Sequence, residues 1–433
     1  MLTSYFWENI SIDEQKKVLA RPKQNKTFQK QVAEIIATVQ TEGDAALYAL
    51  TRAFDGIDLP SLQVPSELIC NAKINASALD ALSMAITIIT AYHQSLLPEF
   101  KSFNTIEGVT IERVYRPITK VGLYVPGGNK TPLVSSLLMQ AIPAKVAGCP
   151  IKILCTPPNP NGQLDPHLLV AARLCQIETI YQIGGAQAIA AMAYGTESIT
   201  KVDKLFGPGN SFVTEAKSQV ASDPLGAAID MPAGPSEVMI AADEKANPLF
   251  VAADLLAQAE HGVDSQVLLI CESEEFANQV KKAITEQLAT LSRKAIIEQA
   301  LDHSRILICR DPFEQITIIN NYAPEHLILN RIDATSWLPH IQAAGTIFLG
   351  PWAAETLGDY ATGSNHVLPT NGYARNHSGL STMDFLKTLS VQHINPQGLM
   401  NLSNTAQTLA FIEGLDAHAN AIKLRMEVLE GCE

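Results

Sequence analysis

The chain of 433 residues is poor in charge, at 17%, and poor in aromatic residues, at 6%. Basic residues are outnumbered, 31 Lys and Arg against 44 Asp and Glu, for a net charge of -13. Such a balance argues against nucleic acid and against anionic membranes, because phosphate contacts need a basic face. No run of about 18 apolar residues occurs, so no membrane span is expected. The opening MLTSYFWENISIDEQKK has no basic region followed by an apolar core, which excludes a secretory signal and points to a cytoplasmic protein. None of the seven cysteines, Cys70, Cys149, Cys155, Cys175, Cys271, Cys309 and Cys432, forms a C-x-x-C pair, so zinc-finger and thioredoxin readings fail. G-x-G-x-x-G after a strand and H-E-x-x-H are both absent, which removes the usual dinucleotide fingerprint and the usual zinc-peptidase helix.

What is present is a long, 47% hydrophobic chain, enough for two or more domains. Residues 29–54 and 78–97 carry helix-period apolar positions, broken by TEGD at 41–44. From about residue 119 the texture changes. VGLYV, KILCT, TIYQIGG, VLLICE, RILICR and TIFLGP are short β-rich runs that alternate with helical stretches such as PHLLVAARLC and NPLFVAADLLAQAEHG. This alternation predicts an α/β fold built on largely parallel sheets. The last fifty residues return to helix, with SNTAQTLAFIEG and DAHANAIKLRMEVLE. Cysteines in KILC and LLIC read as buried, reduced thiols rather than nucleophiles.

Several short motifs carry residues capable of chemistry. ADLLAQAEHG, 253–262, reads as a helix end capped by Gly262, with Gln258 and His261 three residues apart on one face and Asp254 one turn earlier. Such a pair can give two ligands to one metal, although a solvated helix end has the same spacing. In EGLDAHANAIKLR, 413–425, Asp416 reads as an N-cap and His418 falls in the first helical turn, where the dipole keeps imidazole neutral. Glu413 lies just before it. GDYATGSNHVLPT, 358–370, is a polar loop carrying Asp359 and His366. Three glycine turns, VPGGN at 125–129, IGGAQAIAA at 183–191 and FGPGN at 206–210, lie in the α/β segment, and the second opens a helix whose N-terminus could face a phosphate.

NYAPEHLIL, 321–329, sets Glu325 beside His326 at the mouth of an apolar run. Adjacent side chains on a regular strand point to opposite faces, so the two serve one site only if the pair lies in a turn. Pro324 biases Ala323 towards extended geometry, which favours a turn at the strand's mouth. On residues alone, a zinc-dependent hydrolase and a dehydrogenase both accommodate these groups.

As a set, these motifs resemble the histidinol dehydrogenase family. IDMPAGPSEVMIAADEKANPLFVAADLLAQAEHG at 229–262, VGLYVPGG, GGAQAIAA, VDKLFGPGN, PEHL, GDYATGSNHVLPT and EGLDAHANAIKLR occur in the family's order, over roughly residues 120–430. NKTPLV at 129–134 and the NPNGQLD insertion at 159–165 depart from the pattern. The resemblance implies a cytoplasmic enzyme that oxidises L-histidinol to L-histidine through L-histidinaldehyde, the last step of histidine biosynthesis, with two NAD molecules and one Zn2+ per site. It implies Gln258, His261, Asp359 and His418 as zinc ligands, and Ser236, His366, Glu413, His326 and the zinc ligands as substrate contacts. Tyr124, Gln187 and Asn210 match NAD-contacting positions, and Glu325 and His326 match the acid–base pair. The fold implied is a homodimer with two incomplete Rossmann-like domains. Residues 25–123 with 236–380 form the catalytic domain, 124–235 the NAD-side domain, 1–24 an N-terminal extension, and 381–433 a helical tail reaching the partner's site. A dehydrogenase of another amino alcohol shares most of this pattern.

Aldehyde oxidation needs a thiol adduct or an activated water, and no cysteine sits in a catalytic motif. The division expected is therefore His326 for the alcohol proton and Glu325 for the hydrating water.

Overall fold

The computed structural model describes residues 2–22, 28–127, 133–232 and 234–431. Cys432 and residues 128–132 of the VPGGN and NKTPLV stretch lie outside them. The chain divides into two compact units, one of residues 1–96 and 119–384, the other of 97–118 and 385–433.

The larger unit holds two parallel sheets. The first has six strands in the order Thr3–Phe6, Arg305–Ile308, Gln266–Cys271, Glu237–Ala242, His326–Asn330, Thr346–Leu349. Its central strands are buried along their whole length, as sheets covered on both faces require. Alternation along these strands feeds two separate cores. Val238, Ile240, Val267, Leu269, Ile306 and Ile328 pack under the helices Pro248–Ala259 and Glu274–Leu288. Met239, Leu268, Ile270, Leu307, Leu327 and Leu329 face Trp7, Ile318, Ile319 and Trp337 on the other side.

The second sheet has five parallel strands in the order Thr179–Tyr181, Ile151–Cys155, Lys120–Tyr124, Lys204–Phe206, Ala228–Ile229. The small-residue helix Gly185–Tyr194 packs on it with almost every side chain buried. So do Val32, Ile36 and Val39 of the helix Phe28–Glu42 and Leu47 of the helix Asp44–Asp55.

In both sheets the chain reverses its direction of travel between two neighbouring strands. In the five-stranded sheet these are Lys120–Tyr124 and Lys204–Phe206, and in the six-stranded sheet Glu237–Ala242 and His326–Asn330. Such switch points leave a crevice between the diverging connections.

The smaller unit is an antiparallel sheet of Lys101–Ile106, Val109–Pro117 and Leu386–Ile394, followed by the helices Pro396–Ile412 and Asp416–Glu430. The α/β class expected from the sequence is the one observed. The helical texture read at the two ends is incomplete, because Thr3–Phe6 is an edge strand and Leu386–Ile394 lies within the tail. Neither has a clean apolar alternation: seven of the nine residues of Leu386–Ile394 are exposed, so burial imposed no period on it. The buried cysteines behave as read. Burial pushes the thiols of Cys175, Cys271 and Cys309 up to about 12, and Cys155 higher still.

Candidate active site

A cleft of about 470 Å³ runs between the two parallel sheets. Its one wall is the carboxyl edge of the five-stranded sheet at the switch point, with Pro126 and the segment Pro208–Ser211. Its other wall is the amino edge of the six-stranded sheet, with Ser236, Glu325 and His326 beside Gln258, His261, Asp359 and His366.

The two acid–base candidates owe their meeting to a helix end. The helix Pro312–Tyr322 stops at Ala323, whose φ of 53° and ψ of 69° are left-handed. The extended geometry expected of Ala323 is therefore not found. Pro324 only disfavours the right-handed helical region, and the left-handed cap lets the Ala323 N–H bond to Ile319 O at 2.8 Å. The chain then bends at Glu325 and becomes strand only at His326. The pair thus sits at the strand's mouth, and the objection from alternating faces falls. His326 Nδ1 is 3.5 Å from Glu325 Oε2.

His326 Nδ1 lies 3.1 Å from the carbonyl of Glu237, which can only accept, so Nδ1 carries the proton. Nε2 faces Glu355 at 3.8 Å and Asp359 at 3.9 Å. Burial disfavours the imidazolium, but Glu325, Glu355 and Asp359 together hold its pKa up to about 10. Glu355 is almost fully buried. Burial lifts its carboxyl to about 8, with Asp359 and Glu325 adding to the rise and His326 opposing it. Glu325 accepts the Glu237 backbone N–H at 2.8 Å. Burial lowers the His366 pKa, and its Nδ1 sits 2.9 Å from Asp359 O, leaving Nε2 as an acceptor.

Gln258 is fully buried among these groups. With its amide donating to Glu355 Oε1 at 2.9 Å and accepting from Glu237 N at 3.1 Å, both ends are satisfied. His261 lies on the same side of the cleft but further out. The helix ends at Ala259 with Glu260 as its cap, rather than running on to Gly262, and His261 N bonds Gln258 O in a tighter turn. Both side chains line the cleft, Gln258 buried and His261 exposed at its rim.

On the opposite wall, Asn210 caps the helix Ser211–Ser222, its Oδ1 accepting from Phe212 N at 3.1 Å and Val213 N at 3.2 Å. Tyr124 and Gln187 are not among the cleft-lining residues. Both are buried, and the Tyr124 hydroxyl accepts the first N–H of the Gly185–Tyr194 helix at 3.0 Å. The N-terminus read as open to a phosphate is thus partly occupied by a phenol.

Glu413 and His418 belong to the smaller unit. Glu413 caps the helix Pro396–Ile412 and His418 lies in the first turn of Asp416–Glu430; both are exposed. Asp416 is the first helical residue and Leu415 the cap, because the His418 and Ala419 N–H groups bond the Leu415 carbonyl.

Two residues escaped the sequence reading. Glu355 lies one turn before Asp359 in a short helix, and the i, i+4 carboxylates of ETLGD were its only signal. Glu237 left none, since an acid opening an apolar strand reads as solvated. Here it is 2% exposed and paired with Arg21 at 2.5 Å.

The family model of histidinol dehydrogenase matches residues 19–426. The chain belongs to the histidinol dehydrogenase family. It is 63% identical over 429 residues to the histidinol dehydrogenase of Legionella pneumophila strain Philadelphia 1, covering 99% of this chain and 100% of that one. The Vibrio parahaemolyticus enzyme is 48% identical over 427 residues, 98% of each chain. A crystal structure of histidinol dehydrogenase from Elizabethkingia anophelis superposes with a TM-score of 0.95 at 42% identity, covering 99% of both chains. The chain is accordingly an oxidoreductase of histidine biosynthesis acting on a small-molecule substrate, histidinol. Among the described residues no helix is long and apolar enough to cross a membrane.

Proposed function

We propose that the cleft performs the family reaction as a zinc- and NAD-dependent four-electron oxidation of L-histidinol to L-histidine, in the cytoplasm and in a homodimer. One observation carries this reading. His326 has Nδ1 committed to a backbone carbonyl and Nε2 turned to the Glu355–Asp359 pair, with Glu325 beside it in the same cleft as Asn210.

The residues present fit a divalent cation. Gln258, His261 and Asp359 line one cleft, and the Glu355 and Asp359 carboxylates gathered beside His326, ligand atoms within 4.8 Å of one another, supply charge that a cation would offset. Burial raises the Glu355 pKa and the neighbouring Asp359 and Glu325 raise it further, while Glu325, Glu355 and Asp359 raise that of His326 against its burial. We assign the ion to Gln258, His261 and Asp359, with His418 from a second copy completing four ligands and Glu413 of that copy meeting substrate. Zinc held there would supply orientation and charge for the amino alcohol, whose imidazole and amine are nitrogens that zinc accepts well.

Within that frame His326 Nε2 would take the hydroxyl proton, the bound cation offsetting the carboxylates that raise its pKa. Glu325, held by the Glu237 N–H, would take a proton from the water that hydrates the aldehyde, and NAD bound on the opposite wall would supply the hydride acceptor for each of the two oxidations. His366 and Ser236 line the cleft on the substrate side. Asn210 and the helix it caps would receive the dinucleotide, and Tyr124 and Gln187, buried on the side of the same sheet, are assigned to the same cofactor.

The homodimer finds support in the smaller unit, where Phe100, Phe103, Ile394, Phe411, Ile412 and Val428 are exposed. So much apolar surface on a small unit suits an obligate interface. We also propose two lobes built on the two parallel sheets, 236–380 on the six-stranded sheet and 120–235 with the helices of 28–55 on the five-stranded sheet; residues 97–118, expected in the first lobe, lie in the smaller unit.

Counting NADH formed per histidinol consumed, with and without a chelator, tests the proposal. A ratio near two that collapses on chelation is expected. A ratio of one, or full activity in the chelated protein, would overturn it.

A further inference from the structure

We propose that Arg21, on the segment that follows the first helix of the chain, is a positioning residue for the Glu325 carboxylate. Its guanidinium grips Glu237 with two bonds, Nε to Oε1 at 2.5 Å and Nη2 to Oε2 at 2.9 Å. The same Nη2 donates to the Tyr322 carbonyl at 2.8 Å, two residues before Pro324. The group also lies on the Tyr322 ring at 3.9 Å, and the Tyr322 hydroxyl is fixed by Gln266 Oε1 at 2.7 Å.

One side chain therefore ties together the two backbone segments that define Glu325. Glu237 offers the N–H that Glu325 accepts at 2.8 Å, while its side chain is anchored from behind by Arg21 and by the Asn371 N–H at 3.0 Å. The Tyr322–Ala323 end sets the bend from which Glu325 projects. The far side of that bend is also pinned, with Gly345 N on Pro324 O and Thr346 N on Glu325 O. Arg21 is not in the cleft lining and touches none of the groups assigned to substrate or metal. A planar, bidentate fork at this junction fixes both distance and direction, whereas lysine supplies only charge. A carboxylate that activates water depends steeply on its placement.

This inference rests on the assignment of Glu325 to the aldehyde step, and the test separates the two. Arg21→Lys, Glu325→Gln and the double variant are each assayed for histidinol oxidation and, with the aldehyde supplied directly, for the second oxidation. Arg21→Lys is expected to lower kcat of aldehyde oxidation about tenfold or more with KM nearly unchanged. In the Glu325→Gln background the same change should have no further effect. Losses that multiply in the double variant, or an unaltered kcat in folded Arg21→Lys, overturn the positioning role. If Glu325→Gln impairs both oxidations equally, the assignment of Glu325 fails, but non-additivity with Arg21 is still read in either step. Glu237→Gln removes the charge partner while keeping volume and shape, and it must show the same kcat-selective, non-additive loss. It decides the matter should Arg21→Lys fail to fold.

Discussion

The two parallel sheets meet the same cleft with opposite edges. The five-stranded sheet presents the carboxyl ends of its strands, where ligands of open α/β sheets ordinarily bind, and a helix begins there at Asn210. The six-stranded sheet presents amino ends, where helices finish: Pro248–Ala259 delivers Gln258, and Pro312–Tyr322 delivers Glu325 and His326. Helix starts carry partial positive charge and helix ends partial negative charge. One wall is thereby suited to a pyrophosphate. The other, with Glu325, Glu355 and Asp359 added, is suited to a cation and to a protonated amine. In the proposed reaction the two edges would take cofactor and substrate on opposite walls.

The comparison breaks most visibly at Glu325. Glu325→Gln should slow aldehyde oxidation by about 10²–10⁴-fold while largely sparing histidinol oxidation. NADH per histidinol would then approach one with aldehyde accumulating, and equal losses in both steps would end the division of labour with His326. Asp359→Asn comes next. It should weaken zinc binding, read by competition with a chromophoric chelator, about 10–100-fold or more, with NAD affinity unmoved. Parallel losses of metal and NAD binding would mean the walls are not independent.

Asn210→Ala acts on the other wall. Removing the cap should cost about 1 kcal/mol in denaturant unfolding and raise KM for NAD, leaving KM for histidinol close to its original value. A rise in the histidinol KM alone would place substrate on the wrong side.

The smallest effect concerns pH. Burial depresses the pKa of His93 to about 4. Its ring touches Thr382 and the Asn365 amide beside His366. An unfolded chain binds this proton more readily, so the group's contribution is complete above about 6.5 and is lost as pH falls towards 4. Tm should drop over that window, and His93→Phe should flatten the slope that His93 contributes. A slope unchanged in the variant would assign the acid sensitivity elsewhere.

Much of this was legible in the chain. The alternation of β-rich runs with helical stretches showed both sheets, because buried parallel strands are uniformly apolar and their helices are not. NYAPEHLIL and GDYATGSNHVLPT pointed to one wall and FGPGN to the other, since they join chemistry-bearing residues to element ends. Three features were hidden for physical reasons. The Ala323 cap depends on a left-handed conformation that Pro324 does not forbid. The contrast between buried Gln258 and exposed His261 depends on where a helix actually stops. Glu237 and Arg21 are 216 residues apart in sequence, and only the assembled sheet turns an isolated acid and a distant base into one clamp.

The division of the cleft is tested most directly by diffraction from crystals grown with zinc, NAD and histidinol, recorded at the zinc edge. The account predicts one anomalous peak bounded by Gln258, His261 and Asp359, with the pyrophosphate at the Asn210 helix start across the cleft. A peak at the separate Glu8, Cys309 and Glu314 group, or a dinucleotide lying along the amino edge, would contradict it.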